Sequence, residues 1–416
     1  MSIPFKDIGQ LSDRKELPKE WRWVKLGEVC HLKTGGTPSK SDASNYGGDI
    51  KWLVSGDINQ GEISDCIGRI TTQGMANSNA GYLPPDCIMI ALNGQGKTRG
   101  NVALLCVEAT CNQSLVAMIP RDRGTLLPRF LLYQLQMRYQ ELRDLTGDSH
   151  RSGLSIGILN RLDVILPPFS EQQRIAAILK EQMAAVVKAR TAAQERLRAI
   201  KALAASFLRQ IFPDLGQPLP SGWRWVKLGE VCDVIGGSTP DTGNPAYWNG
   251  DIAWVTPTDL GKFSDISIFD TSRQITLSGL QNCGSQMLPV GTVIMSSRAP
   301  IGHLAIAGVS LCTNQGCKSF VPGIDVDSVF LYWTLKRAVP DIQALGSGAT
   351  FAEVSKSILY QFEISLPPLP EQQRIAAILK EQMGAVEQAS IAAEAELKAI
   401  NTLPAALLRR AFNGEL

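Results

Sequence analysis

WRWVKLGEVC at Trp21–Cys30 recurs letter for letter at Trp223–Cys232, with Leu17-Pro18 and Leu219-Pro220 just ahead of each copy. A second block, EQQRIAAILKEQM at Glu171–Met183, returns at Glu371–Met383, and each copy follows a double proline, Pro167-Pro168 or Pro367-Pro368. Identity in register over such lengths is not chance. The chain is a tandem duplication with a unit of about two hundred residues, which narrows to two the domains that its 416 residues suggest.

Between these anchors the copies agree only at sparse points. Gly35-Gly36 matches Gly236-Gly237, Asp49-Ile50 matches Asp251-Ile252, Trp52 matches Trp254, Asp57 matches Asp259, and Asn112-Gln113 matches Asn314-Gln315. Copies that need one fold but different ligands keep their framework and diverge on the loops that carry contacts; neutral drift after duplication is the plainer alternative.

From residue 17 to about 150, short β-like runs (Cys87–Leu92, Asn101–Val107) are punctuated by Gly, Pro and Asn clusters, and a helix is expected over Pro128–Leu145. The second copy repeats the rhythm with Gly291–Ser297, His303–Ala307 and a helix over Ser328–Ala338. After each double proline a long helix is expected, with Ser170 as N-cap in the first copy and Pro370 in the first turn of the second.

The first long helix carries an apolar stripe at Ile175, Leu179, Met183, Val186, Ala189, Ala193, Leu197, Ile200, Phe207 and Ile211. The second repeats it at Ile375, Leu379, Met383, Val386, Ala393, Leu397, Ile400 and Leu407. About 40 residues at ~1.5 Å each span about 60 Å, more than a small domain can cover, so each stripe is expected to face the other helix. Chain order makes that pair antiparallel, with pseudo-twofold symmetry. Lys188, Arg190, Arg196, Arg198 and Lys201 set against Glu387, Glu394 and Glu396 suit the pairing, although a solvated face explains them equally well. Pro404 stands where the first helix has Ala204, and a kink or restart is expected at Asn401–Pro404.

The fold class is therefore α+β: an arm over 1–16, a domain over 17–168, a helix over 169–213, a second domain over 214–368 and a second helix over 369–416. Hydrophobic residues make up 44% and charged residues 19%, the balance of a globular chain with a sizeable core. No apolar run approaches the roughly 18 residues that span a bilayer, and MSIPFKDIGQ lacks a signal's apolar stretch, so the expectation is a cytoplasmic protein without membrane contact. Nine cysteines without a CxxC pair read as reduced, mostly buried thiols. A net charge of +2 gives no footprint of a stand-alone nucleic-acid binder.

Two stretches imitate catalytic motifs. ALNGQGKT at Ala91–Thr98 nearly matches a phosphate loop, but Ala91 replaces the first glycine, and a strand-like RGNVALLCV follows where a helix should open. LPPF at Leu166–Phe169 is close to the motif with which amino-methyltransferases hold a flipped base, yet its polar first residue is absent, and the second copy reads LPPL. His31, His150 and His303 share no metal-ligand spacing, and no paired carboxylates recur in both copies. The expectation is no catalytic residue and no metal site.

Several runs together carry a family likeness: the two WxxVKLGEV openings, Gly35–Pro38 (Gly-Gly-Thr-Pro), Thr98–Val102, Arg298–Gly302 and the double-proline Glu-Gln-Gln helices. On these the chain resembles the specificity subunits of type I restriction-modification systems over nearly its whole length. The second copy departs as Gly-Gly-Ser-Thr-Pro, which reads as that turn shifted by one residue. The resemblance implies two α/β target-recognition domains, each reading one half of a split double-stranded DNA target. It implies long helices that form an antiparallel coiled-coil spacer and dock two modification (methyltransferase) subunits, with restriction subunits joining later. The chain itself would bind no cofactor: S-adenosylmethionine belongs to the modification subunit, and ATP and Mg to the restriction subunit. Near-neutrality then stops being an objection, because partners supply much of the phosphate contact. Helices of ~60 Å would keep the half-sites within roughly 18 base pairs. The repeat architecture alone equally permits a non-catalytic bivalent scaffold that binds proteins.

Base edges are read by polar side chains on elements that enter a groove, so polar loops that differ between the copies are the DNA-binding candidates. In the first copy these are Lys33, Thr34, Thr37, Ser39, Lys40, Gln95, Lys97, Thr98, Arg99, Arg143, His150, Arg151 and Ser152. In the second they are Ser296, Ser297, Arg298, Ser347 and Thr350. Gln172, Arg174, Gln372 and Arg374, at the helix entries, are the candidates for partner contact. Asn112-Gln113 and Asn314-Gln315 occur in both copies, which suits internal hydrogen bonding better than selective readout.

Overall fold

The computed structural model describes residues 17–94, 96, 98–145, 154–263, 265–298, 300–346 and 353–416. The arm 1–16 and the candidates Gln95, Lys97, His150, Arg151, Ser152, Ser347 and Thr350 lie outside the described residues. The chain divides into two compact units, one made of residues 1–194 with 394–416 and the other of 195–393.

In the first unit the repeated opening forms a strand, Arg22–Lys25, antiparallel to Asp163–Leu166, the strand that leads into the double proline. A five-stranded sheet follows in the order Cys30–Thr34, Leu115–Pro120, Cys87–Ala91, Val102–Leu105, Glu62–Ile63. Its first three pairings are antiparallel and its last is parallel. A smaller sheet sets Tyr46–Leu53 between Arg69–Ile70 and Thr110–Cys111. The second unit repeats this topology strand for strand.

Two-residue alternation explains why Cys87–Ala91 is apolar throughout: both faces of the sheet are buried. Ile88 and Ile90 join Val102, Leu104, Val116 and Met118 under the helix Pro128–Met137, meeting its Leu131, Leu132 and Leu135. Met89 and Ala91 face the other way, onto Leu53, Ile58 and Ile63. In the second unit Val293, Met295 and Phe320 face the helix Ser328–Ala344, while Ile294, Ala305 and Cys317 face Val255 and Leu260.

The helix expected over Pro128–Leu145 is broken at Arg138, which leaves helical dihedrals; its buried guanidinium pairs with Glu141 and donates to Asp163 O. Its counterpart runs unbroken to Ala344, six residues past the expected end at Ala338.

The long helices span Phe169–Ile211 and Leu369–Phe412. Each begins immediately after its double proline, so Ser170 sits inside the first turn rather than capping it, and Pro168 O accepts from the amides of Glu171 and Gln172. Within the first unit the head of one helix (Ile175, Ala176, Leu179, Met183) packs with the tail of the other (Leu408, Ala411, Phe412) against Phe130 and Tyr133. Within the second unit the roles reverse: Leu208 and Phe212 meet Ile375, Ala376 and Leu379 over Phe330. Head on tail in both units makes the pair antiparallel. Ring contacts repeat the symmetry, Phe130 to Phe412 at 5.2 Å and Phe212 to Phe330 at 5.4 Å.

The stripe itself differs in detail from its expected course. Ala189 is exposed, and Leu208 rather than Phe207 is the buried residue near the helix end. The helix does not stop or restart at Asn401–Pro404: it continues through a buried Pro404, and Thr402 Oγ1 donates to Ala399 O at 2.7 Å beside the missing amide.

Candidate nucleic-acid interface

In each unit a tryptophan of the smaller sheet is tied to the glycine turn that follows the first strand of the large one. Trp52 Nε1 donates to Gly36 O at 3.0 Å, and Trp254 Nε1 donates to Ser238 O at 3.0 Å. These contacts correct the register of the glycine turn. Cys30–Thr34 and Cys232–Gly236 pair with equivalent partner strands, so Thr34 corresponds to Gly236, Gly35 to Gly237, Gly36 to Ser238 and Thr37 to Thr239. The turn is not shifted by a residue; only its composition changes. The essential glycine is the shared one: a Cβ on Gly35 would lie 1.7 Å from Cys111 O, and one on Gly237 would lie 2.3 Å from Asn314 O.

The repeated Asn-Gln pairs lock this turn from within. Asn112 Oδ1 accepts from Ser114 N at 3.0 Å, and Asn314 Oδ1 accepts from Gly316 N at 2.8 Å. Gln113 Oε1 accepts from Thr37 Oγ1 at 2.5 Å, and Gln315 Oε1 accepts from Thr239 Oγ1. Internal hydrogen bonding is what the structure shows for both pairs.

The same contacts decide the fate of several candidates. Thr37 is committed to Gln113. Thr34 Oγ1 donates to Leu115 O, and Lys33 Nζ donates to Tyr82 O at 3.0 Å. Arg99 and Arg143 interlock, each guanidinium donating to the other's carbonyl at 3.1 and 3.2 Å. Ser296 and Ser297 are fully buried, with hydroxyls that donate to Pro300 O and Gly316 O, so neither can reach a base; this corrects their assignment as contacts. They end a strand buried on both faces, and a hydroxyl there must find a backbone partner. Ser39 and Lys40 remain exposed, Thr98 is half-buried, and Arg298 lines a cleft in the second unit.

Gln172 and Gln372 are likewise interior. Gln172 Oε1 accepts from Leu127 N at 2.9 Å, and its Nε2 donates to Thr125 O and Pro167 O at 2.9 and 3.0 Å. Gln372 repeats this with Asp327 N, Asp325 O and Pro367 O, each at 2.9 Å. Both side chains are buried with the amide oxygen and nitrogen hydrogen-bonded, so they clamp each helix to its own unit and are not partner-facing. Arg174 and Arg374 lie outside, forked onto Glu171 and Glu371. Those arginines hold the two carboxyls below the usual range.

The cleft of the second unit encloses about 500 Å³ and is lined by Trp254, Thr256, Pro257, Thr258, Ser272, Arg273, Arg298 and Asn314. Its walls are tied by Asp259, one of the positions shared by the two copies. Asp259 Oδ2 accepts from Thr256 N at 2.9 Å and Thr256 Oγ1 at 2.6 Å, while Oδ1 accepts from Ser272 N at 3.1 Å. Burial works to raise this carboxyl, and the hydrogen bonds from Ser272 and Thr256 outweigh it, leaving the group below its ordinary range. Asp57 makes a reduced version, accepting from Val54 N at 2.8 Å.

Sequence reading missed the cation in this cleft. Arg273 lies 3.6 Å over the Trp248 ring and 5.4 Å from Trp254, whose rings meet edge to face. The first unit has Gly68 at that position, and a Cβ there would lie 2.2 Å from Trp52 O, so no side chain fits without movement. The two units thus share a frame and differ at this position, arginine in one and glycine in the other.

The stretch that imitates a phosphate loop joins two adjacent antiparallel strands, Cys87–Ala91 and Val102–Leu105, and no helix lies among the described residues between them. Among the described residues no cluster of His, Cys, Asp and Glu is placed to hold a metal ion, and no helix is long and apolar enough to cross a membrane.

The family described as the type I restriction modification DNA specificity domain matches residues 18–194 and again 220–397. The chain belongs to that family. It is 39% identical over 168 residues to the MjaIX type I restriction enzyme specificity subunit of Methanocaldococcus jannaschii, a match covering 40% of this chain and 39% of that protein. A putative MjaX specificity subunit from the same organism is 26% identical over 401 residues, covering 88% of this chain and 87% of that one. The Escherichia coli EcoR124I/EcoR124II specificity subunit is 28% identical over 163 residues, 37% of this chain and 39% of that protein.

Two solved structures share the fold. A chain from a structure concerned with complex assembly and conformational transition of the type I R-M system superposes with a TM-score of 0.78 at 26% identity, over 97% of this chain and all of that one. The HsdS subunit from Thermoanaerobacter tengcongensis gives 0.63 at 24% identity, over 98% of this chain.

Proposed function

We propose that this chain is the DNA sequence-specificity subunit of a type I restriction-modification complex, each unit reading one half of a bipartite double-stranded target. The observation that carries this reading is the pair of units: alike in sheet topology, tied by equivalent Trp and Asn-Gln contacts, yet different in side-chain chemistry at matching positions. A duplicated scaffold that presents different polar groups at equivalent stations is what two distinct half-sites require.

The long helices set the separation of the half-sites and dock two modification (methyltransferase) subunits, and restriction subunits join that assembly. S-adenosylmethionine is bound by the modification subunit, ATP and Mg by the restriction subunit, and this chain contributes no catalytic residue. A chain of net charge +2 relies on those partners for much of its phosphate contact, and the complex works in the cytoplasm.

The test is selection of bound duplexes from a random library by the chain assembled with its modification partner. The expected product is a motif of two short specified halves around an unspecified spacer of fixed length. A stable complex that recovers no motif overturns the reading and leaves a protein-binding scaffold in its place.

A further inference from the structure

One station of the shared frame carries different polar side chains, an exposed Asn93 in the first unit and a half-buried Arg298 in the second. Ile90 pairs with Val116 and Met295 with Lys318, which sets the two central strands in register. Two residues on, Leu92 N donates to Ser114 O at 2.9 Å and Ser297 N donates to Gly316 O at 2.8 Å. The next residue is Asn93 in the first unit and Arg298 in the second. Among the described residues neither side chain has a hydrogen-bond or ion-pair partner, unlike the polar neighbours absorbed inside the units.

Arg298 is mounted rigidly. Its backbone bridges Glu353, and Val354 N donates to Ser297 O at 3.0 Å. Lys318 Nζ, largely buried, lies 3.2 Å from Ser297 Oγ and 3.4 Å from Glu353 Oε1, tying strand and returning segment together. The first unit has apolar Val116 and Leu92 at the positions of Lys318 and Ser297. The floor is matched as well: a Cβ on Gly316 would lie 3.0 Å from Arg298 Nε and 2.9 Å from Pro257 Cγ, so glycine leaves passage for the long guanidinium. Where the reader is the shorter Asn93, the equivalent residue is Ser114.

An unpartnered guanidinium fork on that anchored backbone fits the N7 and O6 acceptors of guanine, whereas a carboxamide fits the N7 acceptor and N6 donor of adenine. We infer that this station is a paired base-reading position, Arg298 reading a guanine in one half-site and Asn93 an adenine in the other. The assignment rests on the function proposed above and goes beyond it by naming the reading residue in each half.

The experiment is the same library selection by the assembled complex, with wild type, Arg298→Ala, Arg298→Lys and Asn93→Ala compared at several salt concentrations. Arg298→Ala and Arg298→Lys each lower the preference for guanine at one position of one half-site by about tenfold or more, with other positions and the salt slope unchanged. Asn93→Ala does the same for an adenine in the other half. An unchanged motif with uniformly weaker binding, rescue by Lys and a shallower salt slope would mean a phosphate contact and overturn the inference. A wild-type motif unaltered by all three substitutions also overturns it, whereas a wild-type complex with no motif sinks the functional reading itself. Unchanged melting temperatures show that the variants fold.

Discussion

Replacing Gln172 with leucine removes a clamp whose cost follows from its contacts. The substitution keeps most of the side-chain volume but orphans Leu127 N, a backbone donor on a half-buried residue that faces the buried Gln172, and takes one hydrogen bond each from Thr125 O and Pro167 O. A buried orphaned donor costs about 1–3 kcal/mol, and each lost bond to a carbonyl about 0.5–1 kcal/mol, giving about 3 kcal/mol in all. For a unit of this size, ~1 kcal/mol lowers the melting temperature by about 2–4 °C, so the expected drop is about 6–12 °C. Gln372→Leu breaks the same three kinds of contact, to Asp327 N, Asp325 O and Pro367 O, and should cost as much in the second unit. Scanning calorimetry reads both. A shift below about 2 °C in either variant would refute the reasoning, and a variant that keeps its melting temperature but loses its modification partner would return these glutamines to the docking surface.

Asp259 sits below its usual range in the folded unit, so its contribution is present above the unfolded carboxyl's pKa and is lost as pH falls through the folded value. Asp259→Asn should therefore be less stable than wild type at pH 7 in urea titration, with the gap narrowing below about pH 4; a constant gap would reject the assignment. Burial pushes the thiols of Cys30, Cys87, Cys111, Cys232, Cys312 and Cys317 up to about 12. Iodoacetamide at pH 8 should thus label the native protein chiefly at the exposed Cys106, with these six reacting only after unfolding, as peptide mass mapping would show. Inserting four residues near Ala193 and four near Ala393 adds ~6 Å to each helix and keeps the apolar stripe nearly in phase. The selected spacer should lengthen by about two base pairs, and an unchanged spacer would reject the helices as its determinant.

The frame was legible because it is written twice. Repeated blocks fixed the unit, the three-four stripe fixed the helices, and chain order fixed their opposed directions. The register of the glycine turn was not legible, because adjacent glycines slide freely in an alignment, whereas the close approach to the strand leading into the Asn-Gln pair falls on Gly35 and Gly237. Polarity was a poor guide to exposure for the same physical reason in each case: a hydroxyl, amide or guanidinium near a buried strand end satisfies the backbone around it. Ser296, Ser297, Lys33, Gln172 and Gln372 all do so, and Thr37 spends its hydroxyl on the Gln113 side chain. Conversely, Arg273 and Asn93 sat in stretches with no repeated signal, one beside a shared aspartate's loop and the other inside the false phosphate motif.

Leu408, Ala411 and Phe412 complete the hydrophobic cluster around Phe130, although more than half the chain separates them from it. The second unit is one unbroken segment, residues 195–393, while the first needs 394–416 as well. During synthesis at about 5–20 residues per second, the first unit waits roughly ten to forty seconds for its closing turn, and the unit translated later is the first to be finished. A nascent chain stopped just short of its last two helical turns would carry an intact second reader beside an open first one, so a premature stop near the end damages the beginning.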